Sequence, residues 1–157
     1  MINPKWQRYI AASINKHFSD KLIALDNTYN VFIEGQHRNN VKFQKIIEIR
    51  FDGPYFREST KDNWIGTIEI NNLIQFKMDD ADNYKIWDII GNVSKVMTQP
   101  IEIFTYDTTG TPESLGCLQR MSDRDDITVH YFGQIEPDQK LQQATCEAHF
   151  LIELKGV

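Results

Sequence analysis

A strict alternation near the end of the chain constrains its fold more than any other feature. Residues 144–154 read ATCEAHFLIEL, and small or apolar side chains fall on one face at Ala144, Cys146, Ala148, Phe150, Ile152 and Leu154. The other face carries Thr145, Glu147, His149 and Glu153, with Leu151 as its apolar exception. A period of two predicts a strand with one buried and one exposed face. The chain must therefore contain a sheet that is covered on one side.

Two amphipathic helices are predicted to provide that cover. The first has Pro4 in its first turn, where a missing N–H costs nothing, and an apolar stripe of Trp6, Tyr9, Ile10, Ile14, Phe18, Leu22 and Leu25. The second is capped by Asp80 or Asp82, ends before Pro100, and has a stripe of Ile86, Ile89, Ile90, Val93, Val96 and Met97. Gly91 in the middle of this helix predicts that another group approaches closely there.

The remaining segments predict strands. Residues 29–38 and 42–51 form a first hairpin around a turn at Asn39–Asn40, and a loop announced by Asp-Gly-Pro covers 52–63. Further strands are predicted at 64–78, 101–106 and 115–121 and in a last hairpin from His130 to Leu154. The fold class is therefore α+β, with a mostly antiparallel sheet packed against two amphipathic helices in one domain, 1–157.

Composition excludes several classes of protein. No apolar run approaches the roughly 18 residues of a membrane span, and the first residues lack the basic and apolar segments of a secretory leader. Cys117 and Cys146 have neither metal-ligand spacing nor disulfide density, which favours a reduced cytoplasmic setting. Without a stripe of Lys and Arg interleaved with aromatics, sequence-specific binding of nucleic acid is not expected.

The net charge of −5 is unevenly distributed along the chain. Residues 1–61 hold 10 Lys/Arg and 6 Asp/Glu, a net +4, whereas residues 62–157 hold 7 and 16, a net −9. Either the two signs mix on the folded surface, or the basic and acidic parts attract neighbouring copies of the chain to one another.

The sequence contains none of the common motifs of catalytic or metal-binding sites. None of the four histidines has a His-x-x-x-His spacing, and the aspartates at 79–82 and 123–126 lack the glycine and glutamate of a calcium loop. His130 and His149, on strands that we expect to pair, can face each other near Glu147, but solvent-facing strand residues are the favoured interpretation. The sequence therefore predicts no enzyme, no catalytic or metal site and no cofactor.

Polar and aromatic loops predict an interaction surface instead. Three projections carry the candidate contact residues: Gln36, His37 and Arg38; Tyr55, Arg57 and Glu58; and Gln134, Glu136, Asp138 and Gln139. Aromatic and Arg side chains are favoured interface anchors, although Tyr55 or Phe56 could equally cover the local core. The amides of Gln134, Gln139, Gln142 and Gln143 both donate and accept hydrogen bonds, which suits pairing with a neighbouring subunit.

The order of these elements resembles that of a family of virion proteins. The opening helix, IEIRFDGPYFRES, the long strand WIGTIEINNLIQF, the helix IWDIIGNV and the ending VHYFGQIEPDQKLQQATCEAHFLIEL together resemble the tail-terminator, or tail-completion, proteins of tailed bacteriophages. The resemblance extends over nearly the whole chain but rests on element order and diffuse patterns, because that family has no catalytic motif.

The resemblance implies a structural role in the virion neck or tail, after assembly in the host cytoplasm. Such proteins form a ring, typically a hexamer, that stops polymerisation of the tail-tube protein and docks onto the head connector. Genomic DNA passes through the lumen, for which Asp123, Asp125 and Asp126 are the candidate lining, since negative charge repels phosphate. The alternatives are another neck, connector or head-completion ring protein and, more remotely, a small ligand-binding protein or hydrolase.

Overall fold

In the computed structural model, a curled sheet is covered on one face by two helices. The structure describes residues 3–35, 43–61, 63–77, 84–107, 110–121, 126–136 and 140–154. Their helices are α1 (Trp6–Leu25) and α2 (Lys85–Met97). Their strands are β1 (Asn30–Ile33), β2 (Lys45–Thr60), β3 (Asn63–Lys77), β4 (Ile101–Phe104), β5 (Ser114–Arg120), β6 (Thr128–Glu136) and β7 (Leu141–Leu154). The expected α+β class is confirmed.

Strand β7 is the centre of the sheet. The order is β1-β2-β3-β7-β5-β4, and β6 also pairs with β7, next to β5 along the same edge. All pairs are antiparallel except β1 and β2, which are parallel. The predicted first hairpin is therefore wrong, because parallel neighbours need a crossover between them rather than a tight turn.

The predicted loop at 52–63 is also wrong, because β2 continues through it to Thr60. The strand accommodates Gly53 and Pro54 with a shift of register between Asp52 and Tyr55. Gly53 has a φ of +111°, and an added Cβ would lie 3.1 Å from the backbone nitrogen of Tyr55. A bulge of this kind admits a proline, which has no N–H for the ladder, and so the Asp-Gly-Pro signal marks a bulge here.

The predicted apolar stripes form the core between the helices and the sheet. All six residues of the α2 stripe are buried, as is the α1 stripe apart from Leu25, which is 41% exposed. From the sheet come alternate residues of β3 and β7, among them Ile68, Ile70, Ile74, Phe76, Ala148 and Phe150. The alternation that predicted a half-buried β7 is confirmed.

Two details of α2 differ from expectation. The helix is preceded by Tyr84, whose side chain makes no capping hydrogen bond, while Asp80 and Asp82 lie outside the described residues. Among the residues that the structure describes, none has an atom within 4 Å of a Cβ added at Gly91, apart from the helix's own backbone, so the predicted close approach is not found there. It occurs instead at Gly116 in β5, where an added Cβ would lie 1.9 Å from the carbonyl oxygen of Glu153.

Polar contacts fasten α1 to the strand at the end of the sheet. The hydroxyl of Ser13, which is buried, accepts a hydrogen bond of 3.0 Å from the backbone N–H of Phe104 in β4. Beyond β4, Asp107 accepts hydrogen bonds from Lys5 at 3.0 Å and from the hydroxyl of Tyr9 at 2.9 Å. Neither α1 nor α2, the helices of the described part, has the length and apolar character to cross a membrane.

Candidate functional site

The structure describes some of the predicted contact residues and not others. Tyr55, Arg57, Glu58, Gln134 and Asp126 are described with their side chains, and Glu136 by its backbone. The remaining candidates lie outside the described residues: Gln36, His37, Arg38, Asp123, Asp125, Asp138 and Gln139. Asp126 is exposed and accepts a hydrogen bond of 3.3 Å from the hydroxyl of Thr128.

The far half of the β2–β3 hairpin presents exposed side chains. Tyr55 is 60% exposed and its hydroxyl donates to Asp52, and Arg57 and Glu58 are also exposed. The neighbouring Phe56 is half-buried, with its ring centroid 5.4 Å from that of Trp6 in α1. Phe56 therefore covers the core, whereas Tyr55 is exposed to solvent.

Most of the glutamine-rich segment, residues 132–143, belongs to the sheet. Strand β6 extends to Glu136 and β7 begins at Leu141. Gln142 is 5% exposed and donates a hydrogen bond of 2.8 Å to the hydroxyl of Tyr131. Gln143 accepts one of 3.2 Å from Gln75 in β3. The expectation that all these amides face a neighbour is thus wrong for Gln142, whereas Gln134 is exposed.

An exposed aromatic surface, absent from the sequence-based candidates, lies where β6 meets α2. We call it the aromatic edge and define it by Trp87, Val129, Tyr131 and Phe132, which are 44%, 37%, 40% and 55% exposed. The rings of Trp87 and Tyr131 lie 4.9 Å apart, and Phe132 stacks on His130 at 6.5 Å. Within the described residues β6 pairs with β7 alone, so its other edge is a free ladder. The sequence predicted β6 as the first strand of the last hairpin, which is confirmed, but it did not predict that β6 lies at an edge.

A second candidate site lies on the open face of the sheet, opposite the helices. Glu69 of β3 faces His149 of β7 across the ladder, and Glu147 lies two residues from His149 on the same face. The His149 Nε2 atom is 3.5 Å from a carboxylate oxygen of Glu147, and its Nδ1 atom is 4.0 Å from one of Glu69. One ligand atom from each of the three residues can be chosen so that all lie within 4.8 Å of one another. We call these three residues the open-face cluster.

The open-face cluster concentrates negative charge in a half-buried place. Burial, followed by the adjacent Glu147 carboxylate, raises the pKa of Glu69, an effect that Asp52 reinforces and His149 opposes. The nearby Arg50 binds Glu48 at 2.8 Å. His130 and His149 do not face each other, because His130 pairs with Thr145, four residues away along β7, and His130 is exposed as the favoured interpretation expected. The register of β3 against β7 places Glu69 next to His149 instead. That register cannot be predicted from the periodicity of the sequence.

A groove between α1 and β4 bears on the hydrolase alternative. It has a volume of about 350 Å³ and is lined by residues that include Ser13, Lys16, His17, Asp20 and Glu102. Burial lowers the pKa of His17, whose Nε2 atom lies 3.4 Å from the carbonyl oxygen of Val96. Lys16 and Asp20 bind each other at 2.8 Å, one turn apart on the helix. Lys16 and Asp20 therefore pair along α1, and His17 contacts the backbone of α2.

Comparison with known proteins leaves the chain to be interpreted from its own surfaces. No protein-family model matches the sequence, and a search of curated proteins finds no similar one. The aromatic edge, the β2–β3 hairpin and the open-face cluster are therefore the features from which its function must be inferred.

Proposed function

We propose that this chain is a structural subunit of a bacteriophage tail or neck. It forms a ring at the head-proximal end of the tail, stops polymerisation of the tail tube and joins the tail to the head connector. The observation that carries the proposal is the aromatic edge, since exposed aromatic side chains on an edge strand favour self-association. The alternation and element order that resemble tail terminators support the same assignment.

The aromatic edge is suited to contact with another copy of the chain. Edge strands of monomeric proteins are usually blunted by charges, prolines or short length, because a free ladder invites pairing with another chain. Strand β6 has two shifts of register on β7, which partly protect its edge, but it still exposes Val129, Tyr131 and Phe132, with Trp87 packed against Tyr131. Aromatic residues dominate the energetics of protein interfaces, and a strand added to β6 would bury them while it completes the ladder.

A closed ring needs two different complementary surfaces on each subunit. The aromatic edge belongs to the acidic part of the chain, residues 62–157, and the basic part, residues 1–61, includes β1 at the opposite end of the sheet. Contact between the aromatic edge of one copy and the basic end of the next is heterologous, and its opposite charges favour that orientation over like-with-like pairing. The exposed Tyr55 and Arg57 then remain for the tube or the connector.

The oligomeric state of the purified chain tests this proposal. We expect native mass spectrometry and sedimentation to show a ring of about six copies of the 18.4 kDa chain. Phe132→Asp places a charge on the most exposed residue of the aromatic edge and should convert the ring to single chains without change in the circular dichroism spectrum. Tyr55→Asp is the matched control, because Tyr55 is an exposed aromatic residue, 60% exposed, that the proposal assigns to the tube or connector, and it should leave the ring intact.

The position in the particle needs a second measurement. Added to polymerising tail-tube protein from the same genome, a terminator should shorten the tubes and appear as one layer at one end in electron micrographs. A ring that leaves tube length unchanged would favour another neck or connector protein. A chain that stays monomeric at high concentration, with or without tube protein, would refute the proposal and favour the ligand-binding alternative.

A further inference from the structure

We propose that Glu69, Glu147 and His149 bind a divalent transition-metal cation, such as Zn²⁺, on the open face of the sheet. The inference does not depend on the ring, because all three residues belong to one chain and come from the central strands β3 and β7. It differs from the sequence-based expectation because the ligands are brought together by strand register and not by local spacing.

The three side chains offer a suitable donor set. Each provides one ligand atom, and these atoms lie within 4.8 Å of one another. Bonds of roughly 2.0–2.2 Å to nitrogen and oxygen place neighbouring ligands of one cation roughly 3–4 Å apart, so small side-chain rotations suffice. One imidazole and two carboxylates is also a combination that transition metals accept and that Mg²⁺ and Ca²⁺, which prefer oxygen alone, do not select.

Electrostatics at the cluster favour a cation. Glu69 and Glu147 lie on the same face of neighbouring strands, and the ligand atoms of the cluster lie within 4.8 Å of one another, so the two carboxylate charges are close together. A metal ion between them would compensate both charges. Asp52, which lies opposite Glu69 on β2, adds a third carboxylate nearby, so the negative potential extends beyond the three ligands.

An unsatisfied polar atom lies beside the cluster. Asn71 sits across the ladder from Glu147, on the same face of β3 as Glu69. Its carboxamide oxygen is buried and has no hydrogen-bond partner among the residues that the structure describes. Buried acceptors are normally paired, so an unpaired one next to two carboxylates and an imidazole indicates a missing donor or cation. Asn71 could thus complete the coordination directly or through a bound water.

A cavity gives the cluster access to solvent. It has a volume of about 220 Å³ and is lined by residues that include Asp52, Tyr55, Glu69, Met121 and His149. The hydroxyl of Tyr55 holds the carboxylate of Asp52 at this cavity. A hydrated ion can therefore reach His149 without unfolding of the sheet, and waters in the cavity can fill the remaining coordination positions.

Calorimetric titration of the metal-free full-length chain with ZnCl₂ near pH 7 tests the proposal. We expect one Zn²⁺ per chain at the cluster, with affinity lowered at least tenfold by Glu147→Gln and by His149→Gln. MgCl₂ should bind much more weakly. Glu153→Gln is the matched control, because Glu153 lies on the same strand face as Glu147 and His149 but outside the cluster, and it should bind Zn²⁺ like the wild type.

A third variant separates loss of the site from loss of the fold. Glu69→Gln removes one ligand charge and keeps the shape of the side chain, so the variant should keep its melting temperature without metal yet lose Zn²⁺ binding. Zinc X-ray absorption should show mixed nitrogen and oxygen ligation in the wild type and in Glu153→Gln, but not in the three cluster variants. Binding that survives His149→Gln and Glu147→Gln unchanged, or no binding at millimolar Zn²⁺, would overturn the proposal.

Discussion

At the scale of single residues, two glycines show opposite requirements. Gly116 lies where β5 crosses β7, and an added Cβ would lie 1.9 Å from the carbonyl oxygen of Glu153 and 2.8 Å from the Cα atom of Leu154. Both of these are backbone atoms of a paired strand, so they cannot move without breaking the ladder. Gly91 lies in α2, where an added Cβ has nothing within 4 Å.

The same substitution at the two glycines should therefore have opposite effects. We expect Gly116→Ala to lower the free energy of unfolding by about 2–3 kcal/mol, because β5 must shift away from β7. Gly91→Ala should raise it by about 0.5–1 kcal/mol, because alanine loses less backbone entropy in a helix. Urea denaturation of both variants measures this. Equal effects at the two positions would show that β5 yields to β7 without strain.

At the scale of elements, one buried hydroxyl contributes to the attachment of α1 to β4. Strand β4 lies at the end of the sheet, and its Phe104 N–H donates to Ser13. A buried N–H that loses its acceptor keeps the cost of its lost hydration. Ser13 therefore links the helix layer to the sheet, in addition to the apolar contacts of the core.

Removal of this hydroxyl should destabilise the protein. We expect Ser13→Ala to lower the free energy of unfolding by about 1–2 kcal/mol, despite the higher helix propensity of alanine. Ser19→Ala is the control: at 100° per residue, position 19 lies on a different side of α1 from position 13, and its effect should stay within about 0.5 kcal/mol. A Ser13→Ala variant as stable as the control would mean that water replaces the hydroxyl.

Sequence periodicity predicted the elements better than their partners. The stripes of α1 and α2 and the alternation of β7 were readable because helix and strand periods are local. The parallel pairing of β1 with β2 could not be predicted in this way. The pair Asn39–Asn40 indicates a turn, but it does not indicate the direction of the strand that follows. The open-face cluster was half predicted: His149 and Glu147 were noted, but Glu69 is brought to them by a register that depends on contacts distant in sequence.

At the scale of the whole molecule, protection from exchange should follow the strand order. Strands β3 and β7 have neighbours on both edges, whereas β1 and β4 lie at the two ends of the sheet. Amide hydrogens exchange with solvent most slowly where the opening reaction must unfold most of the structure. Hydrogen–deuterium exchange should therefore be slowest in Ile68–Ile74 and Ala144–Phe150 and markedly faster in β1 and β4. Protection of β1 equal to that of β7 would contradict the two-ended sheet.

The central position of β7 has a consequence for folding of the chain during its synthesis on the ribosome. Strands β3, β5 and β6 are all synthesised before β7, and each of them pairs with it. Until residues 141–154 have left the exit tunnel, the edge of β3 that pairs with β7 is open. The apolar faces of both helices also lack the side chains that β7 contributes to the core. Nascent copies on one messenger RNA meet in this state, with edges that can pair wrongly. Slow translation before β7 would lengthen the time for which these strand edges are exposed. Rapid synthesis of β7 allows β3, β5 and β6 to pair with it at once.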